Sequence, residues 1–390
     1  MTHLVCPNCS NRSNHSIRSN RSIHSNSSSA RLIELSTSAR RAARLSRIAI
    51  LACTGLACTG LAFLATSSLA LSGLALDSPV SAAEPEGLIR IGDPVGGHIH
   101  PAVCLTKKGT LVVIYGRVNH RDLRITRSTD GGRTWSPPTE FTHTVGKSFY
   151  PGSLTTMANG DLVHAWNRWS TDTNESEPRS VSYSVSGDDG LTWGEPRAFP
   201  RDLKARSVIR HPLVEVSAGK WLVSLDDRTL LWDAAAQTAA PFGDGRVHGL
   251  VPIVRTPKGT YVSGQGLRST DDGKTWTPIA DFPNVKEQGW RHEMVCLSNG
   301  LLLASEILGP GVGGERIRYR ISRDDGQTWK ESDSYEYYNP GRPIGGRACP
   351  RTVELDRDTI GVVFYDVDAK QPGGPGVFFL RIPLAKLAAK

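Results

Sequence analysis

One octet constrains this chain more than any other feature. Residues 128–135 read STDGGRTW, and the pattern Ser-x-Asp-x-Gly-x-Thr-Trp returns as SGDDGLTW (186–193), STDDGKTW (269–276) and SRDDGQTW (322–329). With average residue usage, five fixed residues match by chance on the order of once in several million positions. Four matches therefore mark a repeated structural unit.

The sequence around the octets repeats as well, at about 40 to 55 residues, a period typical of propellers and solenoids. In the first unit HPAVCLTKKG (100–109) reads as an apolar strand ending at a turn. TLVVIYG (110–116) is a second strand and DLRITRS (122–128) a third with alternating character; a short fourth follows the octet and ends near Phe141. Six such units begin near His100, Tyr150, His211, Val251, His292 and Pro350. The third has DAAAQT (233–238) where an octet would fall, and the sixth has only three strands before the chain ends. GLIRIGDPV (87–95) is a spare strand ahead of the first unit. A ring of sheets leaves no exposed edge if its last blade takes a strand from the other end of the chain. The expected fold is therefore all-β: a six-bladed β-propeller of four-stranded antiparallel blades, the last closed by the N-terminal strand.

The octet falls at the hairpin between third and fourth strands. Its Gly supplies the positive φ of a tight turn, its Asp accepts backbone amides, and its Trp offers a large surface for a half-buried seat. A calcium loop of the EF-hand kind needs a bidentate Glu at its twelfth position. Counting from the octet aspartates, that position holds Phe141, Phe199, Phe282 and Tyr335, so the octet reads as scaffold.

Residues 1–83 have a different composition. Residues 1–47 are rich in Ser, Asn and Arg, Ile48–Leu76 is apolar, and Val80-Ser81-Ala82-Ala83 has the small residues of a cleavage site. That order predicts an export leader, with a membrane anchor through 48–76 as the alternative if it stays uncleaved. The propeller is expected over 84–390. Residues 1–82 carry eight Arg, no Lys and two acids, leaving 38 basic against 36 acidic residues in the remainder. The basic pI thus belongs to the leader and does not argue for a nucleic-acid partner. Four of the seven cysteines also lie there, so the fold is not built on disulfides. No Walker loop, G-x-S-x-G, H-E-x-x-H or paired C-x-x-C follows residue 83, and neither a metal nor a cofactor is expected.

In a propeller the innermost strands all run the same way, so their starts converge on one mouth of the central channel. Those starts carry His98 and His100; Tyr150; Arg210 and His211; His248; Arg291, His292 and Glu293; and Arg347 and Arg351. Together they predict a cationic ring suited to a carboxylate or sulfate, which guanidinium grips through paired hydrogen bonds.

Four octets at blade-length spacing resemble the Asp-boxes of the sialidase superfamily, and the resemblance covers nearly all of 87–390. It implies a six-bladed propeller with the boxes on a rim away from the catalytic pocket. It also implies three carboxylate-binding arginines, a Tyr–Glu nucleophile pair and an Asp acid/base, an exception to the two-carboxylate scheme of most glycosidases. This chain departs from that machinery. His98-Ile99-His100-Pro101 stands where the family has Arg-Ile-Pro, and Arg210-His211-Pro212 places an Arg-x-Pro in the third unit instead. Arg347-Ala348-Cys349-Pro350 stands where the nucleophilic Tyr would open the last blade, with Tyr337 and Tyr338 in the preceding segment. GRVNHRD (116–122) offers Asp122, although a count back from the third strand sets Asn119 nearer the catalytic place.

The resemblance thus implies a sialidase-like glycoside hydrolase of acidic glycans, an exo-α-sialidase in its narrowest form. Asp122, Glu293, Tyr150, His100 and His211 are the candidate catalytic residues. Arg210, Arg291, Arg347, Arg351, His248 and His292 are the candidate binding residues. A uronate lyase using His and Tyr, and a binding propeller without turnover, remain open alternatives.

Overall fold

The computed structural model describes residues 85–92, 94–97, 99–118, 121–141, 149–168, 180–199, 208–225, 228–248, 251–282, 293–311, 314–345, 348–369 and 374–388. The leader and the 83/84 boundary lie outside them. Among the described residues no helix is long and apolar enough to cross a membrane.

Twenty-four strands among these residues form six four-stranded sheets. Blade 1 comprises Ala102–Leu105, Leu111–Val118, Arg121–Ser128 and Thr139–Glu140; blade 2 comprises Phe149–Thr156, Leu162–Arg168, Ser180–Ser186 and Arg197–Ala198. Blade 3 holds Val214–Ser217, Lys220–Ser224, Thr229–Asp233 and Thr238–Pro241, and blade 4 holds Ile253–Arg255, Tyr261–Ser263, Leu267–Ser269 and Thr277–Pro278. Blade 5 is Met294–Cys296, Leu302–Gly311, Gly314–Ser322 and Ser334–Tyr338. Blade 6 is Arg351–Asp356, Thr359–Asp366 and Gly376–Pro383, completed by the N-terminal strand Ile89–Arg90.

Every pairing within the blades is antiparallel, as short hairpin connections between consecutive strands require, and the first strand of blade 1 packs against the first strands of blades 2 and 6. The spare strand closes the ring in the expected way. Ile89 and Arg90 pair with Phe379 and Phe378, and the Arg90 guanidinium donates to the carbonyls of Gly374 and Pro375 at 2.6 and 2.7 Å.

The boxes have one internal wiring. In blade 1 Ser128 Oγ donates to Asp130 Oδ1 (2.8 Å), Gly132 N–H donates to Ser128 Oγ (2.8 Å), and Thr134 donates to Asp130 through both its amide (2.9 Å) and its hydroxyl (2.6 Å). The partner that Trp135 Nε1 needs is the box's own Gly132 carbonyl, 3.1 Å away. These bonds recur at Asp188, Asp271 and Asp324. With both carboxylate oxygens committed to hydroxyls and amides, the aspartates are scaffold.

Donation from the box threonine, by hydroxyl and amide, holds Asp188 and Asp271 at about 2 and Asp130 lower still. Gly132 has φ +86°, and a Cβ there would overlap the Phe379 ring of blade 6. Three of the four boxes are also clamped by a basic side chain of the preceding blade: Arg127 to the Gly190 carbonyl, Arg268 to Asp325 (2.9 Å), and Arg381 to the Gly131 carbonyl. The twelfth-position aromatics pack rather than ligate, Phe141 against Trp193 of the next blade and Phe282 against Trp329, with ring centroids 5.5 and 5.1 Å apart.

Candidate functional site

The second strand of each blade starts, and the third ends, on the box face, so the first strands start on the opposite face. There the structure gathers residues that are far apart in the chain. Arg351, opening the first strand of blade 6, donates from Nη2 to the main-chain carbonyl of Arg210 (3.0 Å), which stands just ahead of the first strand of blade 3. Arg210 Nη2 lies 3.5 Å from His100 Nε2, ahead of blade 1. Cys349 Sγ is 3.9 Å from that same nitrogen and 3.9 Å from the Tyr365 hydroxyl. His100, Ala348 and Cys349 all have positive φ (54°, 52° and 37°), a conformation side chains rarely adopt, so packing holds strain here.

Four of the described members of the expected cationic ring lie below the surface. His100 (0% exposed), Arg210 (5%), His211 (3%) and Arg351 (4%) are buried beneath the mouth, and both Arg351 Nη atoms donate to backbone carbonyls, those of Pro350 and Arg210.

Glu293, one residue ahead of the first strand of blade 5, is the buried carboxyl of this set (3% exposed). Thr352 Oγ1 of blade 6 donates to its Oε2 (3.2 Å), and the Tyr319 hydroxyl pairs with Thr352 Oγ1 at 2.8 Å. Tyr337 packs on Tyr319 at 4.6 Å and pairs with Ser305 Oγ at 3.4 Å. Burial pushes Glu293 up to about 8; the Arg351 guanidinium and the Thr352 donors pull it back without winning. At neutral pH Glu293 is therefore a protonated acid. Burial also raises Tyr319 and Tyr337 well above 10, so both phenols are neutral donors, not nucleophilic phenolates. Glu293 and Thr352 line an axial cavity of about 690 Å³ together with Pro212 and Pro252, and its walls continue along the first strands to the box-face turns at Thr256 and Ser298.

The other expected residues fall out as follows. Asp122, in the third strand of blade 1, is paired with Arg117 and with Arg124 (3.0 Å), so it serves as a counterion in this structure. His248 is exposed, and Gln265 Oε1 accepts its backbone N–H at 3.1 Å. Arg291, His292, Arg347, His98, Asn119 and the side chain of Tyr150 lie outside the described residues. Tyr337 and Tyr338 sit in the fourth strand of blade 5, not in a loop, and Tyr338 donates to the buried Asp366 (2.7 Å). Asp366 also accepts from Arg342, just beyond that strand, at 3.2 and 2.9 Å, so Arg342 is tied to blade 6.

Sequence reasoning missed Thr352, Tyr319 and the Cys349–Tyr365 contact. Thr352 directly follows Arg351, and its place on a first strand was the available signal. Among the described residues no group of three or more His, Cys, Asp or Glu gathers as a metal site would require.

Six four-stranded blades, box hairpins on one face and a polar cluster on the other define an Asp-box six-bladed propeller, the architecture of the sialidases. The family model described as BNR/Asp-box repeat matches residues 126–137. No curated protein matches the sequence. Among solved structures, a protein of unknown function from Dyadobacter fermentans is 18% identical, with TM-score 0.57 over 77% of this chain and 99% of that one. The Hadza microbial sialidase Hz136 is 16% identical, with TM-score 0.54 over 74% of this chain and 66% of its own. An α-L-arabinofuranosidase from Fusarium graminearum is 13% identical, with TM-score 0.50 over 78% and 99%. At these identities the likeness is one of fold.

Proposed function

We propose that this chain is an exported, sialidase-like glycoside hydrolase that takes an acidic glycan at the mouth opposite the boxes. The observation that carries the reading is Glu293, a carboxyl kept protonated at neutral pH beside Arg351 on the wall of the axial cavity. A general acid works best when its pKa lies near the working pH, and Glu293 would protonate the leaving glycosidic oxygen.

Arg291 and Arg347 would hold the substrate's carboxylate or sulfate, with the buried Arg210 and Arg351 adding positive charge from beneath. His100, His211 and Tyr150 would assist, and Asp122, once released from Arg117 and Arg124, would be the second carboxylate. The glycosidases among the fold neighbours support glycan chemistry at this level. An exo-α-sialidase is the narrowest version, and the order of basic, apolar and small residues in 1–83 supports export.

The test is a screen of sialyl, uronyl and sulfated glycosides scored for sugar release, with Glu293→Gln as control. Release by the wild type and its loss in the variant is the expected result. An unsaturated, ultraviolet-absorbing product would instead assign a lyase, and saturable binding without release would assign a glycan-binding propeller.

A further inference from the structure

Blade 3, which lacks an octet, has a cleft where an octet would sit. In blades 2 and 5 the box glycine is wedged between a leucine of its own second strand and a valine of the preceding blade: Gly190 between Leu162 and Val112, Gly326 between Leu302 and Val262. The corresponding pair for blade 3 is Trp221 of its own second strand and Val163 of blade 2. Both line a cavity of about 300 Å³ between blades 2 and 3, on the box face. The substitute turn explains the gap. Asp233 Oδ1 still accepts the amides of Ala235 and Ala236, at 3.1 and 2.9 Å, but no glycine or tryptophan follows to fill the seat. Trp232 replaces only the box tryptophan, packing on Phe199 at 5.3 Å as Trp193 packs on Phe141.

Tyr183 and Trp221 form the floor of the cleft, their rings meeting edge-on at 5.5 Å, with Tyr183 fully buried and its hydroxyl accepting from Gln237 Nε2 at 2.9 Å. Trp221 is only 6% exposed, yet its indole N–H finds no acceptor among the described residues, and a buried donor left unmade is costly. The rim carries Asn159, Asp161, Arg197 and Glu215. Asn159 fixes Asp161 (2.6 Å), and the Ala158 amide fixes Glu215 (2.6 Å), so both carboxylates are oriented acceptors. Arg197 is exposed and makes no hydrogen bond or ion pair among the described residues. The buried rings offer no face for stacking, so recognition falls to the unpaired indole N–H and the rim, whose mixed acceptors and donors suit the hydroxyl edge of a sugar ring. Two carboxylates against one guanidinium oppose an anion.

We propose that this box-less seam between blades 2 and 3 is a second glycan subsite that takes a neutral pyranose. It differs from the acidic-glycan reading of the mouth in its place at the box-face seam and in its opposite charge preference, although Glu215 lines both this cleft and the axial cavity.

The test is calorimetric titration of the whole protein with lactose, cellobiose and maltose, followed by NMR of the indole resonance identified through Trp221→Phe. Binding of at least one disaccharide is expected, with Kd on the order of 1 mM. Arg197→Ala and Asn159→Ala, both at exposed positions, should each weaken it about tenfold, and Glu293→Gln should leave it unchanged. The Trp221 indole signal should shift with the same saturation curve. The proposal is overturned if none of the three binds. It is also overturned if binding survives both rim variants, disappears in Glu293→Gln, or leaves the Trp221 signal unmoved.

Discussion

Glu293→Gln should make the protein more stable in alkali. A carboxyl with folded pKa about 8 against an ordinary 4.5 keeps its proton in the native state over a range where the unfolded chain has lost it. The native state then binds more protons, so stability falls as pH rises. The contribution is whole below about pH 4.5, erodes between 4.5 and 8, and becomes a full penalty above 8. At 1.36 kcal/mol per pKa unit the penalty reaches up to about 5 kcal/mol, lessened by any water that relaxes into the site. Glutamine keeps the shape and cannot ionise.

The assay is urea denaturation of wild type and variant from pH 5 to 9. Taking the difference between the two proteins cancels every other titrating group that does not interact with Glu293. The variant should nearly match the wild type at pH 5 and exceed it by several kcal/mol at pH 9. A difference that is flat with pH, or one that favours the wild type more at pH 9 than at pH 5, would refute the idea that desolvation governs this carboxyl.

Four further outcomes follow from the scaffold. Trp276→Ala removes an indole that is 1% exposed and should cost about 3–5 kcal/mol by denaturant unfolding, while binding at the mouth is unchanged. Gly132→Ala sets a methyl group against Phe379 at φ +86° and should cost at least about 2 kcal/mol in the same assay. The depressed box carboxyls contribute stability that is present above pH 4 and lost as pH falls toward 2. Acid unfolding should therefore begin in that window, and Asp188→Asn should flatten it. Deleting residues 1–91 removes the strand that pairs with Gly376–Pro383, so light scattering should report association through the bared edge and the melting temperature should fall.

The ring was legible because the octet has a strict local cause. One turn geometry needs Gly for its φ, Asp for its amides and Thr for its second carboxylate oxygen, so the sequence repeats wherever the turn does. Closure was legible for a similar reason: Ile89–Arg90 was a strand without a hairpin partner, facing a blade one strand short. The mouth was legible only in its membership. Which residues stand at strand starts follows from periodicity, and it placed His100, Arg210, Glu293 and Arg351 in one cluster. Their burial does not follow, because it depends on how Arg351 crosses to the Arg210 carbonyl and on how Thr352 and Tyr319 wall in Glu293. Asp122 shows the same limit, since its guanidinium partners Arg117 and Arg124 come from the second and third strands of its blade, and no spacing rule sets their side-chain directions. The cleft at Trp221 was visible only as a missing octet, and a gap in a pattern does not say whether neighbouring side chains collapse to fill it.

The most direct test is a crystal structure of the protein soaked with an acidic monosaccharide, 2-deoxy-2,3-didehydro-N-acetylneuraminic acid first and glucuronate second. The account predicts density for the sugar at the mouth opposite the boxes, with its carboxylate within hydrogen-bond reach of at least one of Arg210, Arg291, Arg347 and Arg351. An empty mouth at saturating ligand, or a sugar bound with its carboxylate turned away from all four arginines, would contradict it.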